Sequence, residues 1–115
     1  MKIRRIPDHA YFRDVVLVIG SDKEIQRWGR KKHPDFEWNN ASGKYVRFPG
    51  RELHYIVVST KHGKSPWQTA VLGHEILHLT FAILQGSGLE LSDASEEAFT
   101  YYFQGMFARC LKHIC

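Results

Sequence analysis

Cysteines and long apolar stretches are both scarce in this sequence. Its 115 residues include only two cysteines, Cys110 and Cys115, which lie too close together along the chain to suggest a disulfide framework. The first residues carry basic side chains but never develop the apolar run of a signal peptide, and no stretch of about twenty apolar residues occurs. These absences predict free thiols, a reducing cytoplasmic location and no membrane partner.

The composition that is present is that of a folded protein, with 43% hydrophobic and 24% charged residues. A chain of this length can bury one core, so we expect residues 1–115 to form a single domain with one site. The net charge is +4, and the cluster Arg27, Arg30, Lys31 and Lys32 offers contacts for phosphates. Stacking aromatics do not interleave with these charges, so the sequence does not favour nucleic acid as a partner.

Apolar runs and turn residues predict the order strand, helix, two strands, helix, helix. The clear strands are residues 15–19 and 53–59, with a shorter one at 45–48. Ser21 and Asp22 offer a cap for a first helix, which should run to about Lys32. The predicted fold class is α+β, with a small, mostly antiparallel sheet packed on two long helices.

The two long helices occupy the second half of the chain. Ser65 as the cap and Pro66 at the first position predict the start of one, which Gly86 and Gly88 should end. Ser92 or Asp93 is expected to cap the other, which should then continue towards the carboxyl terminus.

Residues 74–78 read His-Glu-Ile-Leu-His, an HExxH pattern inside the first long helix. The spacing of four places His74 and His78 on one face, one turn apart, where they can chelate one metal ion. Glu75 lies about 100° further round the helix, within reach of a water molecule on that ion. The apolar neighbours of this motif suggest that two histidines buried there would need partners, and a metal ion is one such partner.

A third ligand must come from outside the motif. The strongest candidates open the next helix, at Asp93, Glu96 and Glu97. Two neutral imidazoles and one carboxylate would leave a zinc ion an open fourth position, which is the arrangement of catalytic rather than structural zinc.

The sequence here resembles the gluzincin metallopeptidases, and its spacing is most similar to the aminopeptidase N type. The resemblance lies in HExxH, eighteen intervening residues, and then Glu97 followed by Ala98 and Phe99, with Tyr102 and Phe103 shortly after. In size and layout the chain also looks like the short HExxH proteins encoded by phages and prophages, for which the location would be the host cytoplasm, and like the single-domain minigluzincins. The resemblance covers about thirty residues and therefore concerns the site and its two helices.

The resemblance implies one zinc ion per chain, Glu97 as its third ligand and Glu75 as general base, in hydrolysis of a peptide or protein substrate. It also implies that an extended substrate would lie along an edge strand, a role that would fall to residues 53–59. Further donors are needed for the tetrahedral oxyanion, and Tyr101, Tyr102 and His54 are candidates that can equally be packing residues. Asp93 could orient a ligand histidine or simply cap the helix.

The sequence departs from the gluzincin pattern at two places, which limits the activity that the resemblance predicts. The chain has no Gly-x-Met-Glu-Asn stretch for gripping a substrate amino terminus, so aminopeptidase activity in particular is not predicted. Tyr101 stands where the thermolysin type has an aspartate. The expected function is therefore zinc-dependent peptide-bond hydrolysis, and the alternatives are a zinc-binding regulatory protein without useful protease activity or a nucleic-acid-associated basic protein.

Overall fold

The computed structural model describes residues 1–114 and contains a four-stranded sheet and three α-helices. The elements are, in chain order, β1 Lys2–Ile6, β2 Val15–Gly20, α1 Asp22–Lys32, β3 Gly43–Val46, β4 His54–Ser59, the short 3-10 turn Thr60–His62, α2 Pro66–Gly86 and α3 Glu96–Leu111. None of the helices within this range is long and apolar enough to cross a bilayer. The α+β class is confirmed at this level.

The sheet is mixed, with the strand order β1-β2-β4-β3. Its central pair, β2 and β4, runs parallel, while β1 pairs with β2 and β3 with β4 in the antiparallel sense. Two of the three strand pairs are thus antiparallel, while β1 and the parallel central pair are not among the features predicted from the sequence. Strand β1 is an edge strand in which only Ile6 is buried. Its other side chains are mostly basic and exposed, so its sequence lacks the apolar pattern by which a strand is recognised.

Both faces of the two central strands are covered. On β2, Leu17 packs in the same cluster as the apolar residues of α2 and α3, while Val18 packs in a second cluster with Ile25 of α1. All six residues of β2 and of β4 are buried, which agrees with the apolar runs at residues 15–19 and 55–58. The domain is therefore a three-layer arrangement, with α1 on one face of the sheet and the helical pair on the other.

The ends of α2 follow the predicted signals, whereas α3 begins later than expected. The Ser65 side chain accepts a hydrogen bond from the Gln68 amide, and Gly88, with φ +91°, turns the chain after the last turn of α2. Helix α3 begins at Glu96 with Ser95 at the N-cap position. The prediction that Ser92 or Asp93 caps this helix is therefore wrong.

Two close contacts fix the register of α2 against α3. The rings of Phe81 and Phe99 lie 5.4 Å apart, and a Cβ placed on Gly73 would lie 2.7 Å from the ring of Phe107. Gly73 lies opposite Phe107 and Phe81 lies opposite Phe99, so α2 and α3 run antiparallel. Gly73 permits a close approach of α3 directly beside His74.

We predict that Gly29→Ala destabilises the domain relative to Gly105→Ala. A Cβ at Gly29 would lie 2.1 Å from the buried ring of Phe36, whereas a Cβ at Gly105 would meet only the Arg109 guanidinium, at 3.2 Å. Both substitutions share the gain in helix propensity, so their difference isolates the ring clash, which should cost about 1–3 kcal/mol. Urea unfolding of the two variants measures this difference, and equal midpoints would contradict it.

Candidate metal centre

One face of α2 packs on the sheet, and the two histidines of the HExxH pattern lie on the adjacent face. Leu72, Ile76, Leu79 and Ile83 are buried with almost no exposed surface. Because these four positions recur at helical spacing, they fix the rotation of the helix about its axis. His74 and His78 consequently face outwards and are exposed, while Glu75 is buried. The expectation that the histidines would be buried is wrong, since it is the glutamate that lies under neighbouring residues.

The two histidines form a close pair. Their Nε2 atoms lie 3.2 Å apart, with ring centroids at 4.8 Å. Two nitrogens bound to one tetrahedral zinc ion at about 2.0–2.1 Å would be about 3.3 Å apart. The observed separation of 3.2 Å is close to that value, so the pair could hold a single metal ion.

Glu75 completes a cluster with this pair. One ligand atom from each of His74, Glu75 and His78 lies within 4.8 Å of the others, and this is the only such cluster of three or more histidine, cysteine or acidic residues among residues 1–114. Burial raises the pKa of the Glu75 carboxyl, while the two histidines and the backbone N–H of Tyr45 act in the opposite direction. The carboxyl thus lies at a water-poor position beside the exposed imidazoles.

Strand β3, at the edge of the sheet, supplies the surroundings of Glu75. A Cβ on Gly43 would lie 2.6 Å from Val71 and 3.2 Å from a Glu75 carboxylate oxygen, so only glycine permits this approach of strand and helix. The edge strand beside α2 is therefore β3 and not residues 53–59, because β4 is paired on both sides. The predicted strand 45–48 begins two residues later than β3, so Gly43 falls outside it and the sequence analysis does not connect this strand with Glu75. A glycine inside a strand is a known signal of close backbone approach, but that signal requires the strand to be recognised as far as Gly43.

Glu97 lies apart from the cluster. It is exposed on the first turn of α3. The antiparallel register sets Glu97 opposite Ile83, about five residues and roughly 7.5 Å along the axis from His78. The structure therefore brings together His74, Glu75 and His78 but does not bring Glu97 to them.

The other two acidic candidates, Asp93 and Glu96, are exposed and line an apolar groove between α2 and α3. Neither belongs to the three-residue cluster. Their positions therefore provide no contact with the histidine pair.

The three candidate oxyanion donors have different environments. The Tyr102 hydroxyl donates to the carboxylate of buried Asp8 at 3.0 Å, which ties α3 to the loop after β1. His54 is buried, and its Nδ1 lies 2.7 Å from the Tyr45 hydroxyl. Tyr101 is 68% exposed and has a freely accessible ring. Tyr102 and His54 thus have internal partners.

Comparisons with known proteins add no assignment. No family model, curated protein or solved structure matches this chain.

We predict that His54 makes the domain sensitive to mild acid. Burial, together with the charges of Arg47 and Arg13, lowers the pKa of His54 from 6.5 to about 4, against opposing effects of Asp8 and Asp14. Protonation then favours the unfolded chain. The stability contributed by neutral His54 should be complete above about pH 6.5 and should be lost as the pH falls towards 4.

Urea unfolding of chelator-treated protein between pH 7 and pH 4 measures this loss. His54→Gln removes the titrating ring and should flatten the decline, whereas His9→Gln, in an exposed loop, should follow the parent. Parallel profiles for the parent and His54→Gln would contradict the assignment.

Proposed function

We propose that this domain is a zinc-dependent peptide hydrolase of the gluzincin type. The observation that carries the proposal is the 3.2 Å separation of the His74 and His78 nitrogens, with the buried Glu75 carboxyl in the same cluster. A structural zinc site would normally be closed by four protein ligands, and it would have no use for a buried carboxyl beside the open side of the ion.

Edge strand β3 supports a peptide as the substrate. It pairs with β4 on one side only, so its other side offers backbone N–H and C=O groups to an extended chain. The same strand approaches Glu75 at Gly43, and the backbone N–H of Tyr45 lowers the pKa of that carboxyl. A peptide added along β3 would therefore run past the carboxyl and the two exposed imidazoles.

The proposed chemistry divides the work between the ion and the chain. A zinc ion at the histidine pair would supply Lewis acidity for the peptide carbonyl and for water. Glu75 would take a proton from the attacking water while the oxygen of that water bonds to the carbonyl carbon. The same carboxyl would then deliver that proton to the leaving nitrogen as the C–N bond breaks. Burial raises the pKa of the Glu75 carboxyl, which is the direction that makes its carboxylate a stronger base.

Glu97 remains our proposed third ligand, on the strength of its spacing from the HExxH pattern. The side chain reaches an ion at the histidine pair only if the first turn of α3 moves towards the middle of α2. The helix begins there without a side-chain capping bond, but Ser95 donates to the Glu90 carbonyl and the buried Phe99 ring packs on Phe81, so these contacts would have to adjust. The assignment therefore implies that zinc binding shifts residues 95–98.

We predict one zinc ion per chain, with Glu97 and not Glu96 as its third ligand. His78→Ala should weaken zinc binding by more than about 100-fold, because it removes a ligand. Glu97→Ala should weaken it clearly more than Glu96→Ala, since neighbours on a helix point about 100° apart. Competition titration against a chelator measures all three variants. Equal losses at the two glutamates would exclude Glu97 as the ligand, and no zinc uptake by the parent would exclude the metal site.

We predict that Glu75→Gln separates metal binding from hydrolysis. The variant keeps the size of the side chain but loses the basic carboxylate, so zinc content should stay near that of the parent. Cleavage of a mixed library of unstructured peptides, measured at neutral pH with zinc present, should fall about 10² to 10⁴-fold.

Glu52→Gln, an exposed change outside the site, is the matched control and should cleave like the parent. Undiminished cleavage by Glu75→Gln would refute the role of Glu75. A parent that holds zinc but cuts nothing would instead favour a zinc-binding regulatory protein.

A further inference from the structure

A large apolar groove lies between α2 and α3. Its volume is about 490 Å³, within the range of sites that hold small molecules or large side chains. The apolar part of its lining consists of Leu77, Phe81, Leu91, Phe99 and Phe103. Leu77 and Leu91 are 48% and 52% exposed. Two exposed leucines that line one groove form an apolar patch, which is a feature of binding sites.

The groove continues the face of α2 that carries the histidine pair. Positions 74, 77, 78 and 81 follow the i, i+3, i+4, i+7 spacing of one helical stripe. Leu77 and Phe81 therefore extend along the helix from His74 and His78 towards its carboxyl end. A chain bound at the histidine pair would have this groove within reach of a neighbouring side chain.

The electrostatic character of this region differs from that of the rest of the protein. Between Ser65 and Ala108 the sequence contains no lysine or arginine, and all 16 basic residues lie outside this segment. The same segment carries five acidic side chains, at Glu75, Glu90, Asp93, Glu96 and Glu97. Asp93 and Glu96 lie on the rim of the groove itself. An excess of basic residues over the whole chain thus coexists with a groove whose rim is acidic.

We propose that the groove binds a large apolar side chain of a cationic peptide segment, with lysine or arginine next to that side chain contacting the acidic rim. The three phenylalanine rings provide an apolar, aromatic lining for the side chain. The carboxylates of Asp93 and Glu96 complement the charge of a lysine or arginine next to that apolar side chain in the bound peptide. Describing this segment as a substrate rests on the proposed function, whereas its binding does not.

Fluorescence anisotropy with three labelled peptides tests the proposal. The first alternates lysine and arginine around one phenylalanine, the second replaces that phenylalanine with serine, and the third replaces every basic residue with glutamate. The protein is the zinc-loaded Glu75→Gln variant, so that the peptides are not cut, and a chelator-treated sample is run in parallel. We expect the phenylalanine to tighten binding roughly tenfold or more, and the acidic peptide to bind least.

Variants of the groove assign the binding to it. Leu77→Ser and Leu91→Ser change exposed side chains and should remove most of the gain from phenylalanine, while Ile3→Ser, an equally exposed change on β1, should not. The double variant Asp93→Asn/Glu96→Gln should weaken binding several-fold and reduce its dependence on salt. Its control, Asp35→Asn/Glu52→Gln, removes the same charge from exposed loops and should bind like the parent.

The outcomes separate this proposal from the proposed function. Groove-dependent binding of the basic aromatic peptide by a zinc-loaded parent that cuts neither this peptide nor the mixed library supports the proposal and refutes the peptidase. Equal binding of the phenylalanine and serine peptides, or unchanged binding by the leucine variants, overturns it. Sedimentation velocity adds one more test, because a dimer that Leu91→Ser dissociates would show that a second copy covers the groove and would also overturn it.

Discussion

The burial of one stripe of α2 against the sheet sets the orientation on which the candidate site depends. Leu72, Ile76, Leu79 and Ile83 lie in the core between the sheet and the helical pair. A helix rotated by one residue position would place a different set of side chains inwards and turn the histidines by about 100°. The apolar stripe therefore determines which way His74 and His78 point, although none of its members is a metal ligand.

The close approach of β3 to α2 depends on this stripe and on Gly43. The missing side chain at Gly43 allows the strand to lie against Val71 and Glu75. As a result, a carboxylate is held out of water beside two exposed imidazoles, an arrangement that neither element could produce alone. The Asp8–Tyr102 bond plays a similar part for α3, because it joins that helix to the loop between β1 and β2.

Sequence reasoning identified the local features well and the long-range features poorly. The capping residue Ser65, the length of α2 and the grouping of its histidines follow from spacing within about twenty residues, which a helix translates directly into position. The parallel pairing of β2 with β4 and the edge position of β3 depend on contacts between distant segments. Strand β1 was missed because its exposed basic side chains resemble those of a loop. The apolar stripe sets the direction of His74, but how much of its ring α3 covers depends on where α3 crosses α2, which local spacing does not determine.

The uneven distribution of charge gives the molecule a permanent electric dipole. Segment 65–108 carries only acidic charges, whereas every lysine and arginine lies in the remainder of the chain. Near a polyanion or an anionic surface, such a molecule experiences a torque that turns its basic side towards that surface. Segment 65–108 would contribute no lysine or arginine to that contact, so electrostatic adsorption would not need the helices that carry the histidine pair and the groove.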